Sequence, residues 1–305
     1  MPGRKACGKT GNFKLIKYLA MDKKIILGIG EIVWDHIGSR YCLGGAPYNF
    51  AHFAKELGGD AYVVSAVGRD ELGRKAVRMI KKDNVYTDLI QKSLLPTGVV
   101  EVDSSVKNDP KYNIVENVAW DAIALDPKAL EIAGKADVVC WGALAQRSSL
   151  SKNSILALVD AAPKKALKVF DINIRQHYYS SRIISCSLQR ANILKLNQAE
   201  LPLIASVLKL EGDPVEALFK RYRGLQLIVY TCGEVCSRIY DRLGMVSEIR
   251  TPKVKVKDTV GAGDSFTATL VSGILNGMSV PEAHAKAVMV SAEVCKSRGA
   301  IVSLQ

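Results

Sequence analysis

Apolar runs of strand length alternate with stretches of helical period along most of the chain, and this alternation limits the fold more than any other feature. Strands that alternate with amphipathic helices assemble as βαβ units into a mainly parallel sheet flanked by helices. The pattern predicts strands at Ile25–Gly30, Ala61–Val67, Ala136–Trp141, Leu167–Asp171, Ile193–Leu196 and Leu227–Thr231. Helical period fits Asn49–Leu57, with Phe53, Ala54 and Leu57 on one face. It also fits Glu71–Lys82, with Leu72, Ala76, Val77 and Ile80 aligned, then Asp264–Leu275 and Pro281–Ser297. The fold class is therefore α/β.

Residues 97–121 break the rhythm. Gly98–Asp103 and Lys111–Glu116 alternate in strand fashion around the turn signal Asn108-Asp109-Pro110. This predicts a small β lid inserted into the α/β core, formed from segments near 34–43 and 97–121. A chain of 305 residues without internal repeat or linker-like tract then reads as one domain with a lid, spanning residues 21–305.

Residues 1–20 stand apart. They hold Arg4, Lys5, Lys9, Lys14 and Lys17 with no acid, five of the net twelve positive charges. Met21 opens a more ordinary start to an α/β chain, so residues 1–20 read as a basic leader, disordered or not native. The stretch Gly3-Arg4-Lys5-Ala6-Cys7-Gly8-Lys9-Thr10 fits the phosphate-binding pattern G-x-x-x-x-G-K-[ST]. That loop works only between a buried strand and a helix start, and only Met1 and Pro2 precede it, so the match is accidental. The remaining positive charge is spread without dense basic runs, which argues against a nucleic-acid binder and fits phosphorylated ligands. Seven scattered cysteines, with no C-x-x-C pair and four isolated histidines, suggest neither a disulfide framework nor zinc, and point to a reducing cytoplasm. No run approaches the roughly 18 apolar residues of a membrane span, so no membrane partner is expected.

The chemistry is concentrated in Lys257-Asp258-Thr259-Val260-Gly261-Ala262-Gly263-Asp264-Ser265-Phe266. A small-residue turn feeds an apolar helix, whose unpaired amides and dipole favour an anion at its start. Asp264 beside such an anion hole is placed to accept a proton from a hydroxyl that attacks phosphorus. On the residues alone, a plain helix cap at Asp264 explains the stretch as well.

The wider pattern resembles the ribokinase-like (PfkB-type) carbohydrate kinase family. Asp258-Thr259-Val260-Gly261-Ala262-Gly263-Asp264-Ser265-Phe266 resembles its C-terminal signature. Gly44-Gly45-Ala46-Pro47-Tyr48-Asn49 resembles its sugar-binding turn, Gly30–Asp35 the strand end whose aspartate holds sugar hydroxyls, and Val67-Gly68-Arg69-Asp70-Glu71-Leu72-Gly73 a third shared segment. The resemblance runs from about residue 24 to the C-terminus and implies a ribokinase-like fold.

It implies Asp264 as catalytic base, with Gly261, Ala262 and Gly263 forming the anion hole. Asp35, Gly45 and Asn49 would hold the sugar. Asn197 and Glu200, in Asn197-Gln198-Ala199-Glu200, would order Mg2+ and phosphate through water; on their own they form a capping box. Thr231 and Gly233 would bind nucleotide with Asn197 and Gly263, although Cys236 replaces a glycine usual in that loop. Asp258 and Val260, with the turn Gly299-Ala300, match a monovalent-cation site, so K+ joins ATP and Mg2+ among the expected cofactors. A homodimer paired through lid strands follows from the same resemblance.

Several details are similar to the fructokinase branch: Gly44-Gly45-Ala46-Pro47, which lacks a lysine suited to a sugar phosphate, Pro96-Thr97-Gly98, and Ala119-Trp120-Asp121. Trp120 would form an apolar wall for the sugar, or else pack on the core. Arg175, in Asp171-Ile172-Asn173-Ile174-Arg175, would pair with substrate or nucleotide phosphate. The expected activity is transfer of the γ-phosphoryl group of MgATP to a primary hydroxyl of a monosaccharide, fructose first. Ribose and 2-keto-3-deoxygluconate are the alternatives, and a catalytically silent sugar or nucleotide sensor is the rival from another class.

Overall fold

The computed structural model describes residues 23–103 and 111–304. Both the basic leader and the turn Asn108-Asp109-Pro110 lie outside the described residues. Strand β1 (Ile25–Ile29) leads into β2 (Val33–Ile37) and β3 (Arg40–Gly44), then helix α1 (Ala46–Glu56), β4 (Asp60–Gly68), α2 (Glu71–Lys82) and β5 (Ile90–Ser93). Strands β6 (Gly98–Asp103) and β7 (Lys111–Ile114) follow, then α3 (Pro127–Ala133), β8 (Val138–Trp141), α4 (Ser149–Ala161), β9 (Leu167–Asp171) and α5 (Ser181–Leu188). The second half adds β10 (Ile193–Asn197), α6 (Glu200–Leu208), α7 (Pro214–Arg221), β11 (Leu227–Thr231), β12 (Cys236–Asp241), β13 (Gly244–Arg250), α8 (Ala262–Leu275) and α9 (Val280–Val294).

The large sheet has the order β13-β12-β11-β10-β9-β8-β1-β4-β5 and is parallel from β11 to β5. Its antiparallel edge is the hairpin β12–β13. Central strands are covered on both faces, which is why they read as continuous apolar runs rather than alternating ones. Leu27 and Ile29 face one core with Trp141, Phe170, Leu194 and Leu196. Ile26 and Ile193 face the other, packed under α1, α8 and α9 with Phe50, Phe53, Phe266 and Leu270. Among the described residues no helix is long and apolar enough to cross a membrane.

The lid is a separate sheet of order β3-β2-β6-β7. Strand β2 pairs antiparallel with β3 and parallel with β6. The motifs at its root do mechanical work. Asp70 caps α2 by accepting from the Gly73 amide at 2.7 Å, and its carboxylate also takes the Thr97 amide and hydroxyl. Thr97 in turn accepts from the Gly68 amide at 2.9 Å. Gly98 begins β6 where any Cβ would overlap the indole of Trp120.

Element bounds differ from expectation in instructive ways. Helix α1 starts three residues before the predicted Asn49, because Gly45 at φ 114° turns the chain and Pro47 suits the first helical turn. Helix α9 ends at Val294, short of Ser297. The lid strands end at Ile114, and Ala119–Ala122 is a 3₁₀ turn on the core rather than part of the lid.

After α9 the chain returns through the turn at Gly299 and runs along α1. His52 Nε2 lies 3.3 Å from the Val302 carbonyl, and Glu56 accepts from the Leu304 amide at 3.0 Å and the Ser303 hydroxyl at 3.1 Å. Upstream on the same tail, the Ala300 carbonyl abuts Gly261, where a Cβ would lie 2.5 Å from that oxygen.

Candidate active site

The site gathers at the carboxyl ends of β1, β9 and β10, the edge where open α/β sheets bind ligands. Two helices begin there. Helix α8 is capped by Gly261 at φ 80°, a left-handed conformation that favours glycine, and the contact with Ala300 leaves no room for a side chain. By helix geometry the first-turn amides of Gly263 and Asp264 have no partner within α8, and they face the same opening as its dipole. Gly261, Ala262 and Gly263 thus bring bare backbone to the start of α8, which is the condition an anion hole there requires.

Asp264 follows in the first turn of α8. Its Oδ2 accepts from Asn49 Nδ2 at 2.8 Å, so the first turns of α1 and α8 meet through these two side chains. Burial pushes the Asp264 carboxyl up to about 6, and Asp171 nearby adds to the shift. The Asn49 bond and the charges of Lys195 and Arg175 oppose it. A carboxylate of raised proton affinity near neutral pH is matched to proton acceptance.

Lys195 is the residue that sequence reasoning missed. It stands in β10 between Leu194 and Leu196, is 8 % exposed, and projects to the α8 face of the sheet. A Cβ on Gly263 would lie 3.1 Å from its Nζ, so the ammonium sits at the mouth of the anion hole. Asp171 Oδ1 pairs with it at 3.1 Å, while Asp171 Oδ2 meets the Thr267 hydroxyl of α8 at 3.1 Å. The pair with Asp171 and the fields of Glu200 and Asp264 raise the lysine above its usual value despite burial. A charged residue inside an otherwise apolar strand was the available signal.

Among the residues expected to hold the sugar, Asp35 lies in β2, opposite Cys42 and Val100. Burial raises its carboxyl, and Arg175 counters. Gly45 starts α1 where a Cβ would overlap the Glu31 carbonyl. Asn49 is buried, and its Oδ1 has no partner. Arg175 is exposed on the loop after β9, where its charge reaches Glu31, Asp35 and Asp264. Trp120 takes the second of its two expected places, packed on the core. It is fully buried among core residues, with the Arg147 guanidinium 3.9 Å over its ring, because Gly98 opens a slot for it beneath the lid.

Asn197 and Glu200 make the capping box. Asn197 Oδ1 accepts from the amides of Ala199 and Glu200, and Glu200 Oε2 accepts from Asn197 at 2.8 Å. Glu200 Oε1 also holds the Ile174 amide. Asn197 Oδ1 and both Glu200 oxygens are thus engaged by backbone amides.

Thr231 ends β11 beside Asn197, and Gly233 turns the chain at φ 55°. Cys236, in place of the usual glycine, is buried, and its carbonyl accepts from the Cys232 amide at 2.8 Å, so the turn closes normally. Asp258 accepts from the amides of Val260 and Gly299, which brings the two turns of the expected cation site together.

This arrangement has close relatives. Fructokinase-1 of Zea mays is 27 % identical over 283 residues, covering 86 % of this chain and 86 % of that protein. The crystal structure of a fructokinase of Xylella fastidiosa with bound ATP superposes with TM-score 0.79 at 21 % identity, covering 92 % of this chain and 94 % of that one. An uncharacterized sugar kinase of Pyrococcus horikoshii superposes with TM-score 0.79 at 24 % identity, covering 91 % and 94 %. The family model described as pfkB family carbohydrate kinase matches residues 31–305, and with the fold and the Asp264 site in place, the chain belongs to that family of carbohydrate kinases.

Proposed function

We propose that this kinase transfers the γ-phosphoryl group of MgATP to a primary hydroxyl of a monosaccharide, with fructose as the acceptor. The observation that carries the reading is Asp264 Oδ2, in the first turn of α8 after the small-residue turn and bonded to Asn49 in the first turn of α1. The Zea mays relative is named a fructokinase, and the Xylella structure contains ATP.

In this reading Asp35 and Asn49 accept and donate hydrogen bonds to sugar hydroxyls, and Gly45 lets the sugar approach the backbone. Asp264 takes the proton from the attacking hydroxyl as the oxygen bonds to phosphorus and the bond to ADP breaks. Amides of Gly263 and Asp264, with the Lys195 ammonium, offset charge on the transferring group. Asn197 and Glu200 would hold Mg2+ through water, and the ion would supply positive charge against that of the nucleotide phosphates. Thr231 and Gly233 line the nucleotide side. K+ fits the paired turns around Asp258, Val260 and Gly299, where it would steady the start of α8. Closure of the lid excludes water and suppresses ATP hydrolysis. Exposed lid strands pair between two copies as a homodimer, and the scattered thiols suit a reducing cytoplasm.

The test is ATP-dependent phosphorylation across a sugar panel that includes fructose, ribose and 2-keto-3-deoxygluconate, with Mg2+, with and without K+. Turnover of fructose supports the reading. Preference for another sugar keeps the kinase and moves the branch. Silence across the panel favours the sensor.

A further inference from the structure

The loop between β9 and α5 is held at two points. Near its start the Ile174 amide donates to Glu200 Oε1 at 2.8 Å. Glu200 belongs to the capping box with Asn197, which stands beside Thr231. Four residues later the Tyr178 hydroxyl reaches the lid. Its one proton is shared between Glu116 Oε1 at 2.9 Å and the Ile114 carbonyl at 3.3 Å, at the end of β7. Arg175 is carried between these two points, and its carbonyl accepts from the Tyr178 amide at 3.1 Å.

The lid residue that Tyr178 holds lies in line with the expected sugar ligand. Ile114 stands opposite Val100, and Val100 opposite Asp35, so the three form one row across β7, β6 and β2. Arg147 adds to the grip. Its guanidinium, paired with Asp121 at 2.8 Å, lies 4.7 Å from the centre of the Tyr178 ring and donates to the Val115 carbonyl at 2.7 Å. Three successive residues, Ile114, Val115 and Glu116, are therefore fastened to Tyr178 and Arg147. The loop itself has an uncommon shape. Asn173 and Gln176 are left-handed, at φ 44° and 47°, conformations that residues other than glycine keep only where their surroundings hold them.

We propose that residues 174–178 form a strut between Glu200 and the lid, and that Tyr178 is the positioning residue that completes it. The proposal rests on the kinase reading above. Nucleotide bound beside Glu200 steadies one end of the strut and sugar bound at Asp35 the other, so each ligand favours the lid position that suits the second. Tyr178→Phe keeps the ring against Arg147 and removes the hydroxyl that holds Ile114 and Glu116.

The experiment measures, by calorimetry, binding of the sugar that turns over best in the panel above, with and without the Mg2+ complex of the β,γ-imido analogue of ATP. In wild type the analogue should tighten the sugar about tenfold, and the sugar should tighten the analogue by the same factor. In Tyr178→Phe that factor should fall to within about twofold of unity, while each ligand alone binds within about threefold of wild type. A Tyr178 that only supports the fold would lower the melting temperature or weaken both ligands and leave the factor intact. If Tyr178→Phe does not fold, Glu116→Ala, which spares the bond to Ile114, decides: a factor cut to about threefold supports the strut. A wild type without coupling, or a factor unchanged in the deciding variant, overturns the proposal. Silence on every sugar of the panel overturns the kinase reading and this proposal with it. Turnover with the factor unchanged removes only the strut.

Discussion

Asn49 and Asp264 are 215 residues apart in sequence and 2.8 Å apart in space, Nδ2 to Oδ2. One belongs to the helix that follows the lid hairpin, the other to the helix that opens on the anion hole. Whatever displaces the start of α1 is therefore felt at Asp264, the proton acceptor of the proposed mechanism.

Asp264→Asn should fold, bind ATP and lose turnover by about 10²–10⁴-fold, the usual contribution of a placed general base. Calorimetric ATP titration beside a coupled assay checks both halves. Retained turnover would remove Asp264 from the mechanism.

With Asp264 raised to about 6, kcat should fall as pH drops through that value, because the protonated acid cannot accept the hydroxyl proton. The stability sign is opposite. A carboxyl whose folded value is raised above its ordinary 3.8 favours the folded state below about pH 4, and that contribution is lost as pH rises through 6. Asp264→Asn should accordingly be more stable than wild type at pH 8, by about 1–3 kcal/mol. Thermal melts at pH 5 and pH 8 test it, and an equal difference at both would contradict it.

Lys195→Met should cost about 3–5 kcal/mol, since it leaves Asp171 buried without its cation. Lys195→Met with Asp171→Asn should regain most of that stability and little of the activity. Recovery of both would reduce the lysine to a structural role.

Gly98→Ala should destabilise by about 1–3 kcal/mol and raise KM for the sugar, because the new Cβ meets the Trp120 indole at the lid root. Adding Trp120→Phe should relieve part of the clash. Chemical denaturation and acceptor KM for the two variants and the pair measure that coupling.

The central sheet was legible because burial on both faces writes itself as uninterrupted apolar runs; Leu167–Asp171 and Leu227–Thr231 fall where the pattern places them. The α8 turn was legible because the small residues at 261–263 have few uses together. The two readings of Trp120 stayed open in the sequence, since a tryptophan beside a predicted lid gives no sign of which way its ring packs, and that is decided by Gly98, 22 positions earlier. Lys195 was overlooked because its partner Asp171 lies on the neighbouring strand, and period alone does not report register between strands. Cys236 replaces a usual glycine, yet its backbone supplies the closing bond of the turn whatever its side chain.

The tail from Ala300 to Leu304 touches the glycine that caps α8 and then runs beside α1, so the last described residues tie together the two helices whose starts build the site. Loosening the Glu56 clasp on Leu304 is therefore transmitted to both helix starts at once, and a preparation weakened in that way would be mistaken for a poor enzyme.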